Sequence, residues 1–230
     1  SHFMAEHWRS ERGNRWRKLL FLFILFAISC LLHWLLLLDG SKYLEGSTMA
    51  NTQVVILWLM WNIYFLRVFY GLFFLLPRSM SLEELTSVSI FLVLVVSSTT
   101  IGTAFASKWT ASAIGDALGI SLYLIGSYLN SWSEQTRAWW KRKPENKGKL
   151  YMEKLFATVR HPNYLGDFIL FLGVWIITRV WWNVWIPVFM LLGFVFMHIP
   201  DNESYLASKY PNYWKHYVKS TPAKLFPGVY

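Results

Sequence analysis

The stretch "ATVRHPNYLGDFILFLGVWIIT" (residues 157–178) places a group of polar side chains directly before an apolar run. The apolar run is typical of a membrane helix, so this stretch decides the fold class. Polar groups that lose water at the mouth of such a helix cost about 2–7 kcal/mol each unless they find a partner. The cluster must therefore pair with protein or with a polar ligand. Its members are Arg160, His161, Asn163, Tyr164 and Asp167.

The composition of the whole chain agrees with a membrane protein. The 230 residues are 55% hydrophobic and 19% aromatic, which is too apolar for a soluble domain of this length. A single cysteine, Cys30, excludes a disulfide framework, and the six scattered histidines give no reason to expect a metal site. The opening letters "SHFM" are typical of a tag remnant at 1–3, and a single integral membrane domain is expected at 4–230.

Apolar segments recur along the chain at lengths that suit membrane helices. Six of them can cross, or nearly cross, a hydrocarbon core of about 30 Å. An all-α, polytopic helical bundle is therefore predicted, with a cytoplasmic cofactor-binding loop at 134–161 and a C-terminal interfacial helix where aromatics recur between lysines. The predicted spans lie near 18–38, 51–76, 87–106, 111–133, 164–178 and 181–199.

Basic side chains indicate the orientation and the partners. Most of the 22 Lys and Arg residues fall in the N-terminal arm, the loop at 134–161 and the C-terminal tail, so both termini are predicted to be cytoplasmic in an inner or endoplasmic-reticulum-type membrane. The net charge of +9 fits nucleic acid, anionic lipid or an anionic cofactor. The arm "HWRSERGNRWRKLL" favours a lipid contact, and nucleic acid is not an expected partner.

The long loop and its flanks carry the side chains that a dinucleotide needs. Phosphates are bound by Lys and Arg, a ribose by a carboxylate or amide, and an adenine by an aromatic face. The alternative is a basic loop in which His161 and Asn163 only cap the next helix, with Pro162 in its first turn. Asp201 and Glu203 follow the last span, where they either pair with the loop or hold a ribose or a sulfonium-type cofactor.

A second constellation lies inside the second predicted span, in "WNIYFLRVFY". Tyr64 and Arg67 are three residues apart and share one helix face. An arginine at that depth costs roughly 2.5–3.5 kcal/mol on insertion scales and normally faces the bundle interior. The cation would make the Tyr64 hydroxyl a better proton donor. The alternative is that Arg67 extends to the membrane surface.

Residues 126–230 resemble the C-terminal domain of the steroid 5α-reductase superfamily, in particular its small bacterial and fungal branch. The likeness rests on "GSYLNSWSEQTRAWWKRKPENKGKLYMEKLFATVRHPNYLGD" and "KYPNYWKHYVKSTPAKLFPGVY". Sterol C14-reductases share the tail pattern, and isoprenylcysteine carboxyl methyltransferases share "RHPNYLG". "LNSWSE" is similar to the reductases' Asn-x-x-Ser-Asp element that contacts NADPH, so Asn130, Ser133 and Glu134 take those places.

The stretch "IYFLRVFY" resembles the reductases' His-Tyr-x-x-Arg-x-x-x-Tyr pattern, with Tyr64 and Arg67 in the matching positions. Ile63 replaces the histidine, and Asp167 stands where the reductases commonly carry Glu. The upstream Gln-Glu pair of the reductases has no clear counterpart here, which argues against a 3-oxo-steroid substrate.

The resemblance implies a membrane-embedded, NADPH-dependent reductase of an activated C=C bond in a lipophilic substrate, steroid-like or isoprenoid-like. Tyr64 and Arg67 would be its catalytic residues. The alternative is an S-adenosylmethionine-dependent methyltransferase of a lipid or prenylated thiol. The expected cofactor-binding residues are Asn130, Ser133, Glu134, Lys141, Arg142, Tyr151, Arg160, His161, Asn163, Tyr164, Asp167, Asp201, Glu203 and Tyr217.

Overall fold

The computed structural model describes residues 15–38, 51–75, 80–104 and 112–230. Within these ranges the regular structure is helical and contains no strand, which confirms the all-α prediction. The helices are α1 (Arg15–Leu37), α2 (Asn51–Tyr70), α3 (Leu82–Ser97), α4 (Ala113–Arg142), α5 (Pro162–Thr178), α6 (Trp185–Gly193), α7 (Ile199–Lys209) and α8 (Pro211–Ser220). Wider π-helical turns extend α2, α3 and α6 at Gly71–Leu75, Ser98–Gly102 and Phe194–His198.

Four continuous helical stretches in the described part of the chain are long and apolar enough to cross a membrane: Trp16–Leu37, Thr52–Leu75, Leu82–Gly102 and Trp181–Lys209. They correspond to four of the six predicted spans and support an integral membrane protein. The segment predicted at 164–178 lies in α5, whose 17 residues reach about 26 Å. The segment predicted at 111–133 is helical in α4 but is not among the four. The total of six spans stays a prediction.

Some residues used in the sequence-based predictions lie outside the described ranges. These are the tag remnant at 1–3 and the basic residues Arg9, Arg12, Lys42, Arg78 and Lys108. Arg17 and Lys18 of the basic arm lie within the described ranges. Their side chains bind protein groups, whereas the sequence predicts a contact with lipid. They are 9% and 8% exposed and donate to the carbonyl oxygens of Met80 and Leu72, because a buried cation needs an acceptor inside the protein.

Local sequence explains several helix ends. Ser81 caps α3 by accepting a hydrogen bond from the backbone N–H of Glu84 at 3.0 Å, and acidic residues in the first turn suit the positive end of the helix dipole. Pro162 and Pro211 stand at the first positions of α5 and α8, where the missing N–H costs no helical hydrogen bond. Pro162 therefore begins its helix as the sequence predicts.

The chain forms two compact units. Unit 1 comprises Ser1–Ile120 and Val174–Val184, and unit 2 comprises Ser121–Gly173 and Trp185–Tyr230. Unit 1 contains buried polar contacts of its own. The Gln53 amide donates to the carbonyl oxygens of Ile177 and Thr178 at 2.9 and 3.2 Å, and Arg179 pairs with Asp116 at 2.5 Å. These contacts satisfy polar groups that would otherwise be unpaired in an apolar setting.

In unit 2, α4 and α5 cross with their backbones in contact. A Cβ atom on Gly126 would lie 2.4 Å from the backbone nitrogen of Leu170 and 2.5 Å from the carbonyl oxygen of Gly166. A Cβ on Gly166 would lie 2.5 Å from the backbone nitrogen of Asn130. Small residues let membrane helices approach closely, so these two glycines set the distance between the helices that carry most of the predicted cofactor residues.

Gly126→Ala should destabilise the protein by about 1–3 kcal/mol, because the added methyl group meets backbone atoms that cannot rotate away. The measurement is thermal unfolding of the detergent-solubilised chain. Gly193→Ala is the matched control, since its Cβ would meet only the His198 ring at 3.9 Å. Equal unfolding midpoints for the two variants would contradict the close crossing.

Candidate functional site

Arg160 is locked by protein groups at the start of the polar cluster. It is 5% exposed, and its Nε donates to Glu203 Oε1 at 2.7 Å. Its Nη1 donates to the carbonyl oxygens of Thr221 and Pro222 at 2.7 and 2.9 Å. The guanidinium thus joins α7 to the C-terminal tail, while its predicted contact with a phosphate stays a prediction.

His161 lies beside the same carboxylate. It is 3% exposed, and its Nε2 is 3.4 Å from Glu203 Oε1. Burial lowers the pKa of His161, although the hydrogen bond and charge of Glu203 oppose that shift. The ring is therefore neutral at pH 7 and stacks face to face on Tyr164, with centroids 5.4 Å apart.

Tyr164 is held in an aromatic stack at the start of α5. Its ring is stacked between His161 and Phe194, whose centroid is 4.7 Å away. The stack fixes the ring plane, so the position of the hydroxyl is set by α5 and α6 together. The charged groups that act on this hydroxyl are Glu134 and Arg137 of α4, Asp167 of α5 and Asp201 of α7. Three other predicted cofactor residues, Glu134, Asp167 and Asp201, are thus within electrostatic range of Tyr164, and we call these groups with Arg137 and Phe194 the Tyr164 neighbourhood.

Residues 130–134 of α4 contact the start of α5 beside Tyr164. The Asn130 side chain donates to the carbonyl oxygen of Asn163 at 3.1 Å, across the close crossing of α4 and α5. Ser133 is fully buried and donates to the Asn130 carbonyl, so its hydroxyl serves the helix. Glu134 forms an ion pair with Arg137 and keeps 20% of its side chain exposed, which leaves its carboxylate partly accessible to a ligand.

The remaining predicted cofactor residues divide into exposed and packed ones. Lys141 and Arg142 are exposed at the end of α4. Loss of water around the Lys141 amine, together with the charges of Arg137 and Lys209, lowers its pKa to about 8. Tyr151 and Tyr217 are 4% and 1% exposed, and burial raises the pKa of each phenol.

The hydroxyl of Tyr217 donates to the carbonyl oxygen of Phe156 at 2.8 Å. The Tyr151 ring packs on Trp140 and Phe156 with centroids 5.3 and 5.4 Å away. Tyr217 therefore joins α8 to Phe156, and Tyr151 packs between Phe156 and Trp140 of α4. The predicted contact of both tyrosines with a cofactor stays a prediction.

Tyr64 and Arg67 lie in unit 1 and are described within it. The Arg67 guanidinium stands over the Tyr64 ring, 5.1 Å from the centroid, so the two side chains share one helix face as their spacing predicts. Tyr64 also meets the buried Trp61 edge to face at 5.8 Å. The cation polarises the phenol ring through its face, and both side chains are half-buried.

Sequence reasoning missed two members of the Tyr164 neighbourhood. Arg137 is three residues after Glu134 and seven after Asn130, a helical spacing that could have identified it. Phe194 is apolar and thirty residues away from Tyr164 in the chain, so no sequence pattern connects the two rings.

A family model described as "Protein of unknown function (DUF1295)" matches residues 78–221. The chain belongs to the DUF1295 family. This family is associated with steroid 5α-reductase-like membrane proteins. A search of curated proteins finds no match to the chain. The DUF1295 match includes α4, α5, α7 and the Tyr164 neighbourhood, whereas Tyr64 and Arg67 precede it.

The buried imidazole makes the stability of this DUF1295 protein depend on pH. Because the pKa of folded His161 lies below that of an unfolded histidine, about 6.5, the unfolded chain binds the extra proton more readily as the pH falls. Stability from this group is therefore present above the unfolded pKa of about 6.5 and is lost as the pH falls below that value. His161→Gln should therefore show a smaller fall in unfolding temperature between pH 7.5 and 5.5 than the wild type.

The control is His216→Gln, which changes an exposed histidine of α8 and should keep the wild-type pH dependence. If His161→Gln and the wild type lose the same amount of stability, His161 does not resist protonation in the folded protein.

Proposed function

We propose that this DUF1295 chain is a membrane-embedded, NADPH-dependent reductase of an activated C=C bond in a lipophilic substrate, steroid-like or isoprenoid-like. The observation that carries the proposal is the hydrogen bond from Asn130 to the Asn163 backbone, beside Tyr164, whose hydroxyl is within electrostatic range of Glu134, Asp167 and Asp201. The resemblance to the small bacterial and fungal branch of the steroid 5α-reductase superfamily, and the family's association with such proteins, support it.

The polar side chains along α4 follow one another in the order in which a dinucleotide presents its ribose and phosphate groups. Amide and carboxylate acceptors suited to a ribose come first on α4, at Asn130 and Glu134. Cations suited to phosphates follow at Arg137 and Lys141 on the same helix face. The eleven residue steps from Asn130 to Lys141 extend about 16 Å along the helix, so this arrangement suits an extended anionic ligand better than a compact one.

NADPH, when bound, supplies the hydride for the reduction. The chain's own task is to stabilise the negative charge that develops on the carbonyl oxygen of the substrate. We assign that task to the Tyr64 hydroxyl, which donates a hydrogen bond or a proton to this oxygen. Arg67, over the Tyr64 ring, strengthens Tyr64 as a donor, and the low dielectric of a membrane bundle increases the effect.

The alternative is an S-adenosylmethionine-dependent methyltransferase, and one observation favours it. His161, Tyr164 and Glu203 are grouped within hydrogen-bonding or stacking distance, and one carboxylate with two neutral rings suits a cofactor without phosphates. Glu203 is, however, already bound by Arg160, so its carboxylate is less available to a sulfonium or an amino group.

The first test of the proposal is cofactor choice. NADPH should raise the unfolding temperature of the detergent-purified chain more than NADH or S-adenosylmethionine, since a ligand that binds only the folded state at 100 times its Kd adds about 2.7 kcal/mol. Asn163→Ala should reduce the NADPH effect without changing ligand-free stability, because the bond from Asn130 is to the Asn163 backbone.

Stabilisation by S-adenosylmethionine alone would contradict the reductase and support the methyltransferase. A lower ligand-free stability of Asn163→Ala with unchanged NADPH affinity would mean that Asn163 serves only the end of α5.

The second test concerns Tyr64. Tyr64→Phe should lower the rate of single-turnover NADPH oxidation with lipophilic enones by roughly 10²–10³-fold, the loss seen when one oxyanion donor is removed, and should leave NADPH affinity unchanged. The control is Tyr70→Phe, which removes a hydroxyl from an exposed tyrosine of the same helix. Equal rates for Tyr64→Phe and the wild type would exclude Tyr64 from the reaction.

A further inference from the structure

A basic groove in unit 2 lies at the joined ends of α4 and α7. It encloses about 370 Å³. Within the described part of the chain, the residues that line it include four lysines and no carboxylate. We call it the lysine groove, and its principal side chains are Lys141, Asn146, Lys147, Lys149, Lys209 and Tyr210.

The groove is built around a fixed aromatic ring. Tyr210 is 7% exposed, and the amines of Lys141 and Lys209 stand 5.7 and 5.5 Å from its centroid. Lys209 also donates to the Tyr205 hydroxyl at 2.6 Å. Two of the four cations are therefore held over the floor of the groove, where cation–π contacts stabilise them.

The other two cations come from the tight loop after α4. The Asn146 side chain donates to the Trp140 carbonyl at 2.8 Å, and the Lys147 backbone donates to the Pro144 carbonyl at 3.1 Å. Gly148 completes the turn with a φ of +81°, a conformation that L side chains rarely adopt. These bonds hold the backbone of Lys147 and Lys149 at the rim of the groove.

The Lys141 amine is repelled by neighbouring positive charge. Loss of water lowers its pKa first, and the charges of Arg137 and Lys209 lower it further. A bound anion would relieve the repulsion and restore hydrogen-bond partners to the exposed amines.

The position of the groove indicates which anion it meets. Lys209 is the last residue of the membrane-crossing stretch Trp181–Lys209, and the apolar part of that stretch ends at about Pro200. The groove therefore lies beyond the hydrocarbon end of the span, where lipid headgroups are. Trp214 packs in the cluster around Tyr210, Tyr205 is exposed on α7, and such residues are enriched at membrane surfaces. Lysines close to a membrane surface attract anionic lipid.

We propose that the lysine groove binds the headgroup phosphate of an anionic phospholipid. The lysine amines bind the phosphate oxygens, while the acyl chains extend along the apolar side of the Trp181–Lys209 stretch. This site shares Lys141 with the cofactor residues proposed above, whereas Lys147, Lys149 and Lys209 are not among them.

The test uses the full chain in detergent, titrated with dioleoyl-phosphatidylglycerol and, separately, with dioleoyl-phosphatidylcholine. Binding is followed by native mass spectrometry. We expect phosphatidylglycerol to bind and the zwitterionic lipid to bind at least tenfold more weakly. The double variant Lys147→Gln/Lys149→Gln should weaken phosphatidylglycerol binding roughly 30-fold, the loss expected for two lysines at an anionic membrane surface.

Two control variants test whether binding depends on the lysines of the groove or only on the net charge of the protein. Lys143→Gln/Lys154→Gln removes the same charge from exposed lysines outside the groove and should leave binding unchanged. Lys147→Arg/Lys149→Arg keeps the charge and should also bind. Equal weakening in both Gln double variants would overturn the proposal, since it would show a dependence on net charge alone.

Competition experiments distinguish a lipid phosphate from inorganic phosphate and from the phosphates of NADPH. Inorganic phosphate and NADPH are each added at saturating phosphatidylglycerol. Retention of the lipid in both cases is the expected result. Displacement by NADPH would assign the groove to the cofactor, and displacement by millimolar phosphate would assign it to a soluble anion, so either result would overturn the lipid proposal. A failure of NADPH to bind at all would contradict only the proposed reductase function.

Discussion

The close crossing of α4 and α5 is the constraint on which unit 2 depends. With glycine at 126 and 166 the two backbones touch, and this brings the amide of Asn130 within hydrogen-bonding distance of the Asn163 carbonyl. The crossing thereby sets the position of Tyr164, one residue further along α5, relative to Glu134, one turn further along α4. A larger residue at either glycine would separate the polar side chains that the two helices carry.

The second constraint is electrostatic and acts on the C-terminal tail. Arg160 and Glu203 are held together in a poorly solvated place, and the arginine's other donors bind carbonyl oxygens of the tail. The backbone of residues 160 and 161 bonds to Ala223 and Lys224 as well. Removing one partner of such a pair leaves a buried charge uncompensated. The pair therefore joins the start of α5, α7 and the tail into one framework around His161.

Much of the fold could be predicted from the sequence, because it depends on local composition. Long apolar runs dictate helices in a membrane chain, and Pro162 marks the start of α5 in the sequence as in the structure. The helical spacing of Tyr64 and Arg67 correctly placed the two side chains on one face. Charge counting along the chain did not show that Lys18 is buried, because its acceptor, the Leu72 carbonyl, is a backbone atom of a distant helix.

The sequence by itself determined the helical class, the membrane setting and the kinds of polar group gathered near residues 130–167. It also identified most of the residues around Tyr164, since amide, carboxylate and basic side chains are recognisable by type. Only the tertiary structure decided which of them face one another. It paired Arg160 with Glu203, stacked Tyr164 on Phe194 and placed Lys209 beside Lys141 over one tyrosine ring. Such pairings depend on the distances between helices, which are set by contacts far apart in the chain and leave no periodic signal in it.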